Sequence, residues 1–372
     1  MGQRGSEVNL LSLIYFLIVL GVLVIVHEFG HFIVAKLVGV RVEKFSIGFG
    51  PKIWSVRKGE TEYIIAPIPL GGYIKMGGDE PGDAITGQKW EFLSRSVSDR
   101  FKIIVAGPVL NYVFAFCLLV AVFMVGTPVT TTEIGVVMSG YPAKEAGLLV
   151  GDRILAVDGK TVSHGDALVA IINKRVQGTL VLTVERGGNI FKKEIRPVVE
   201  KRKMGLGTQE KEVRIARIGI QPAQRIEKGG YGFFGSVYMG AQTIWQITVL
   251  TYKALWSMMI GKLSMKEMAG PVGIFMITAQ AAKLGIIYLL NFMAILSASL
   301  AIFNLLPFPV LDGGHILFLA IEKLRGKPIS MKTQEVIMNI GWSLLILFMV
   351  LVFYSDIMKF GIADKVMKLF KH

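Results

Sequence analysis

The stretch His27-Glu28-Phe29-Gly30-His31 lies inside an apolar run from Leu10 to Val40, and its reading decides the fold. Residues four apart on a helix share one face about a turn apart. His27 and His31 can therefore hold one zinc ion between them, with Glu28 alongside. This pattern carries metalloprotease chemistry, and the run around it is long and apolar enough to cross a bilayer.

Composition agrees with a membrane setting. Of 372 residues, 52% are hydrophobic and only 18% charged, and several uninterrupted apolar stretches reach spanning length. The net charge of +14 would suggest nucleic acid in a soluble chain. Here the basic residues mostly flank apolar segments or fall in one extramembrane region, without an RNA- or DNA-binding signature, so lipid headgroups are the expected counterpart and nucleic acid is not. The single cysteine, Cys117, excludes a disulfide framework and a thiolate zinc cluster, and reads as a small buried hydrophobe. No small-residue cleavage pattern follows the first apolar segment, which is read as a retained span.

Four segments are expected to cross: 10–37, 103–126, 286–304 and 336–353. An even number puts both termini on one side. Basic residues flank the loops after the first and third spans (Lys36, Arg41, Lys44, Arg95, Arg100, Lys102; then Lys323, Arg325, Lys327, Lys332), whereas 127–143 carries none. The positive-inside rule then makes loops 38–102 and 322–335 cytoplasmic and the termini extracytoplasmic. A fifth apolar segment, 233–260, mixes Trp245, Tyr252 and Trp256 with Gln242, Gln246 and three threonines. It is read as an amphipathic helix on the outer surface. Had it crossed, Asp312 would sit on the opposite face from His27.

The partner of the histidines is expected in Asn304-Leu305-Leu306-Pro307-Phe308-Pro309-Val310-Leu311-Asp312-Gly313-Gly314-His315. Two prolines separated by one residue break the span, and the glycines permit tight approach. A carboxylate at membrane depth needs a partner. Both spans start outside and carry their motifs late, so His27, His31 and Asp312 reach similar depth and leave an open position for water, the pattern of a catalytic zinc site. Asn304 and Asn111 fall near the same depth, where they could bond substrate backbone, orient a ligand, or simply link helices. His315, three residues past Asp312, could approach the metal from its outer shell but is not named a ligand.

These motifs, together with Gly48-Phe49-Gly50-Pro51, Gly71-Gly72-Tyr73-Ile74-Lys75-Met76, Gly107-Pro108 with Asn111, and Gly270-Pro271-Val272-Gly273-Ile274, resemble the bacterial site-2 proteases of the regulator of sigma-E protease group nearly end to end. The resemblance implies one zinc per chain held by His27, His31 and Asp312, with Glu28 as catalytic acid/base. It also implies a bacterial inner-membrane enzyme acting on a single-span membrane protein, such as a tethered anti-sigma factor or a remnant signal peptide, after an upstream site-1-type protease has trimmed it.

The expected fold is thus a polytopic α-helical membrane protein with four transmembrane helices, a membrane-associated β-hairpin or loop, and one extracytoplasmic PDZ-like α+β domain. Its expected divisions are an N-terminal membrane domain (1–126) with its cytoplasmic-side β-loop (41–100), the PDZ-like domain (127–200), a basic connector and surface helix (201–285), a C-terminal membrane domain (286–354) and an amphipathic tail (355–372). Within the loop, 62–69 reads as extended and ends at Gly71-Gly72, with 73–76 returning as a short strand. Gly71, Gly72 and Tyr73 would then offer an edge that holds unwound substrate by strand addition, or the hairpin would merely plug the site. The PDZ-like region would bind a new chain end or exclude untrimmed substrates. A reading from another class is a membrane PDZ adaptor with an inert metal motif, which would need none of His27, Glu28, His31 and Asp312.

Overall fold

The computed structural model describes residues 10–79, 86–204, 211–228, 231–262 and 269–359. The chain forms two compact units. One holds the residues up to Val122, Phe233–Lys253 and those from 265 on; the other holds Phe123–Gly232 and Ala254–Ser264.

In the first unit, α1 (Leu10–Leu37) carries the histidine motif. Its 28 residues reach about 42 Å, against a hydrocarbon layer of roughly 30 Å. Four strands follow: β1 (Val42–Phe49), β2 (Trp54–Lys58), β3 (Thr61–Ile65) and β4 (Ile68–Met76). They form one sheet in the order β2-β3-β1-β4. β1 runs parallel to β3 and antiparallel to β4, with Phe45 opposite Ile74 and Ile47 opposite Gly72.

The expected hairpin is corrected here. Gly71 and Gly72 do not turn the chain; they lie within β4, where a Cβ on Gly71 would run into the Phe49 ring and one on Gly72 would stand 2.7 Å from the Ser46 carbonyl. Glycine serves close approach inside a strand at this point. Beyond β4, buried Glu91 fastens the loop that precedes the next helix by accepting bonds from the Thr86 hydroxyl and N–H, the Ser94 hydroxyl and the Gly87 N–H. These donors, the Thr86 hydroxyl first, hold its carboxyl down at about 2.

α2 (Val97–Val125) begins a turn and a half earlier than expected and runs through Pro108. Asn111, Ala115, Leu119 and Val122 form its buried stripe. Cys117 is off that stripe and exposed, not buried as expected from its apolar neighbours. The periodicity of the helix, not local hydrophobicity, decides which side faces the protein.

α5 (Gly232–Met259) meets α2 along an extended line. Gly240 faces Val120 and Phe116, and the Thr248 hydroxyl pairs with that of Tyr112. As α5 advances, its contacts retreat along α2, so the two run antiparallel side by side, unlike a helix lying flat at the end of α2. A helix absent from the sequence reading, α6 (Pro271–Leu284), precedes α7 (Ile286–Asn304), with Gly285 at φ 123° breaking them apart. Then come α8 (Asp312–Arg325) and α9 (Met331–Lys359). Buried Asp356 of α9 accepts the Gly270 and Gly273 N–H groups at 3.2 and 2.8 Å, capping α6. The first and third of the expected spans keep their bounds and the second and last extend into longer helices; among the described residues, four helices (α1, α2, α7, α9) are long and apolar enough to cross a membrane. The end of the expected tail, 360–372, lies outside the described residues.

The second unit holds β5 (Gly126–Val137), α3 (Pro142–Glu145), β6 (Arg153–Val157), β7 (Lys160–Thr161), α4 (Gly165–Lys174), β8 (Leu180–Arg186), β9 (Asn189–Ile195), β10 (Val198–Met204), β11 (Lys211–Arg217) and β12 (Ile220–Lys228). One sheet runs β12-β5-β6-β8-β9 with β7 on β6, over a core including Ile134, Leu148, Ile154, Leu168, Leu180 and Leu182. Asp152, 1% exposed, takes two bonds from the Arg186 guanidinium, which hold its carboxyl below the ordinary range. The unit extends past residue 200, since the stretch read as a basic connector pairs as the β10–β11 hairpin and β12 completes the sheet.

Candidate active site

The site is assembled in the first unit by glycines that let backbones touch. A Cβ on Gly30 would fall 2.9 Å from the Gly107 Cα and closer still to the Ala106 carbonyl, so α1 and α2 cross in direct contact within the histidine motif itself. Gly107 in turn faces the two imidazoles. After Asn304 the chain leaves the helix, as its prolines require, and re-enters at Asp312. Gly313 and Gly314 lie against the carbonyls of Leu305, Leu306 and Phe308. That tight turn aims the Asp312 carboxylate at α1.

His27, His31 and Asp312 converge. His27 Nε2 is 3.1 Å from Asp312 Oδ2, His31 Nε2 is 3.6 Å from Asp312 Oδ1, and the two Nε2 atoms are 3.2 Å apart. A tetrahedral zinc with bonds near 2.0 Å requires ligand atoms about 3.3 Å from one another. The rings stand nearly perpendicular, at 85°, and Asp312 Oδ2 is buried without a hydrogen-bond donor. The donor set, its spacing and the orphaned oxygen all suit zinc.

The outer partners fix the rings. His31 Nδ1–H donates to the Ile103 carbonyl at 2.8 Å, leaving Nε2 free as a ligand. Asn111 Nδ2 is 3.3 Å from His27 Nδ1, while its own Oδ1 is buried and unbonded. If Nε2 of His27 faces the metal, Nδ1 carries the proton and needs an acceptor. The amide orientation that satisfies both groups turns Oδ1 toward the ring. Asn304 Nδ2 approaches His27 Nε2 at 3.4 Å, and the Ser297 hydroxyl on α7 donates to the Asn111 carbonyl at 2.8 Å. Ile103, Ser297 and the Gly30–Gly107 contact escaped the sequence reading; the small residues in the motifs were the signal available for the last.

Glu28 shares a cavity of about 800 Å³ with His31, Asp312 and His315, a size suited to a peptide segment. Arg100 and Glu322, an ion pair, line its other end. β4, an edge strand of its sheet, passes beside Glu28: a Cβ on Gly72 would reach Glu28 Cγ at 3.3 Å. Alternation puts Gly72, Ile74 and Met76 on that face and turns Gly71 and Tyr73 away, Tyr73 stacking on Phe49. Of the expected substrate residues, Asn111, Asn304 and Gly72 therefore join the site, and Gly71 and Tyr73 do not.

Comparison with known proteins identifies the family. The model of peptidase family M50 matches residues 15–348. The regulator of sigma-E protease RseP of Escherichia coli is 32% identical, covering 92% of this chain and 97% of the relative. A Rhizobium meliloti protein named "Putative zinc metalloprotease" is 33% identical over 92% and 95%, and Protease RseP of Yersinia pestis 31% over 93% and 98%. The chain belongs to peptidase family M50 and is a zinc metalloprotease of the site-2 type.

Proposed function

We propose that this chain is an intramembrane endopeptidase that cuts the transmembrane segment of single-span membrane proteins after another protease has removed their outer part. The carrying observation is the convergence of His27 and His31 from α1 with Asp312 from the start of α8 at zinc-ligand spacing, with Glu28 on the adjoining cavity. One zinc per chain would be held by these three side chains. When bound, it supplies a Lewis acid that activates water and polarises the scissile carbonyl.

Glu28 accepts the proton of the attacking water and returns it to the departing amine. Asn111 keeps the His27 proton on Nδ1. A helical substrate hides its peptide bonds within its own hydrogen bonds, so it must unwind before attack. The edge of β4 beside Glu28 supports a reading in which the unwound segment adds to the sheet as a further strand. The enzyme would lie in the bacterial inner membrane, with both termini and the PDZ-like unit extracytoplasmic and the β1–β4 sheet cytoplasmic. The PDZ-like unit would select or exclude substrates. An inert adaptor would have no use for this spacing.

The test is reconstitution with a model single-span substrate, comparing wild type, Glu28→Gln and chelator-treated protein. Cleavage within the span by wild type alone is expected. Equal product in all three would refute the proposal.

A further inference from the structure

His315 sits in the first turn of α8, three residues after Asp312 and hence on the same helical face. It lines the cavity that holds Glu28, His31 and Asp312. Its ring meets Phe318 edge-on, with centroids 6.2 Å apart at 88°, which fixes its position without using either nitrogen. It is not among the side chains close enough to share a metal ion.

The neighbouring donors are already committed. Asn111 and Asn304 face His27, His31 Nδ1 is bonded to the Ile103 carbonyl, and Arg100 is paired with Glu322. Among the described residues, neither ring nitrogen of His315 has a hydrogen-bond partner. A half-buried imidazole held by ring packing, with an N–H unspent, on the cavity where a peptide carbonyl must lie, is suited to meet charge that appears only during reaction.

We propose that His315 is a catalytic residue that donates a hydrogen bond to the scissile carbonyl oxygen as it becomes negative. As the water oxygen bonds to the carbonyl carbon, the C=O π pair moves onto the oxygen, and the His315 N–H bonds to it without transferring its proton. The pair then returns to re-form C=O, the C–N bond breaks, and the amine leaves with the proton from Glu28. The inference rests on the protease reading above.

Two variants test it. His315→Phe keeps a ring against Phe318 and removes the donor; His315→Gln restores an N–H. With the reconstituted enzyme, His315→Phe is expected to lower kcat about 100- to 1,000-fold with KM held within about twofold. Zinc content and thermal unfolding should match wild type, and binding of a phosphinic peptide, which mimics the tetrahedral species, should weaken by a factor similar to the loss in kcat. His315→Gln should regain about tenfold or more of that loss. A kcat within about threefold of wild type would overturn the proposal, as would a raised KM at unchanged kcat. Loss of zinc in either variant would assign His315 to metal retention instead. If wild type itself fails to cleave, the protease reading fails first; unchanged phosphinic-peptide binding to zinc-loaded His315→Phe would still refute the role given to His315.

Discussion

Replacing Gly107 with alanine sets two effects of opposite sign against each other. Gly107 lies inside α2 with ordinary helical backbone, and alanine there should favour the helix by about 1 kcal/mol. The new methyl carbon, however, would stand 2.6 Å from His31 Cε1 and 2.9 Å from His27 Cε1, and nearer still to His31 Nε2. Carbon atoms pack at about 3.5 Å or more, so the His31 ring must withdraw by roughly 0.9 Å. Metal–ligand bonds tolerate about 0.2 Å. His31 cannot yield freely either, because its Nδ1 is tied to the Ile103 carbonyl on α2 itself. Gly107→Ala is therefore expected to lose bound zinc, or to keep it with activity down about 100-fold, while unfolding no more readily than zinc-free wild type. Gly21→Ala is the control, since its methyl would meet nothing within 4 Å in α1; its zinc content and activity should be those of wild type. Metal analysis of the purified proteins and the single-span cleavage assay read both. Full zinc and near-normal turnover in Gly107→Ala would refute the reasoning.

Two further outcomes are expected. Asn111→Leu removes the partner of His27 Nδ1 and should weaken zinc binding about 10- to 100-fold in competition with a chelator, with Asn111→Asp, which keeps an acceptor, retaining more. In the second unit, Asp152→Asn exchanges a charged acceptor of the Arg186 guanidinium for a neutral one and should cost about 2 kcal/mol in denaturant unfolding. Because the folded carboxyl is depressed, wild-type Asp152 contributes its full stabilisation above the ordinary carboxylate range and loses it as pH falls through the folded value. The difference between the two proteins should thus be constant near neutrality and shrink in acid.

How much of this could be read in the sequence varied with the range of the cause. The spanning helices and the break before Asp312 follow from local apolarity and proline chemistry, and both are legible. The convergence of His27, His31 and Asp312 was legible because HExxH puts two histidines on one turn and membrane burial demands a partner for a carboxylate. The four-stranded sheet was not: β1 pairs in parallel with β3 and antiparallel with β4, a register set by contacts far apart in sequence. Gly71-Gly72 looked like a turn because glycine marks turns and close approaches alike, and only the Phe49 ring and the Ser46 carbonyl tell them apart. Cys117 failed for a related reason, since an apolar neighbourhood in a spanning helix does not say which face meets protein. The unit boundary near residue 200 failed because composition calls 201–217 basic, while its backbone pairs as a hairpin.

The small residues around the zinc site share one physical origin. In a hydrocarbon layer, hydrophobic burial does little to draw helices together, and contact depends on close packing and hydrogen bonds. Polar ligands cannot reach one another from helices held apart by large side chains, because an imidazole or carboxylate spans only a few ångströms beyond its Cα. Gly30 brings α1 onto α2; Gly107 then leaves the space that the two imidazoles fill, and Gly313 with Gly314 folds the turn that presents Asp312. Each of these positions meets backbone or metal-ligand atoms where a Cβ would go, and none has a positive φ that would itself require glycine. The glycines are therefore selected for distance, not for conformation. A chain carrying His27, Glu28, His31 and Asp312 with alanine at these glycine positions would keep its spanning helices and lose the convergence of those side chains.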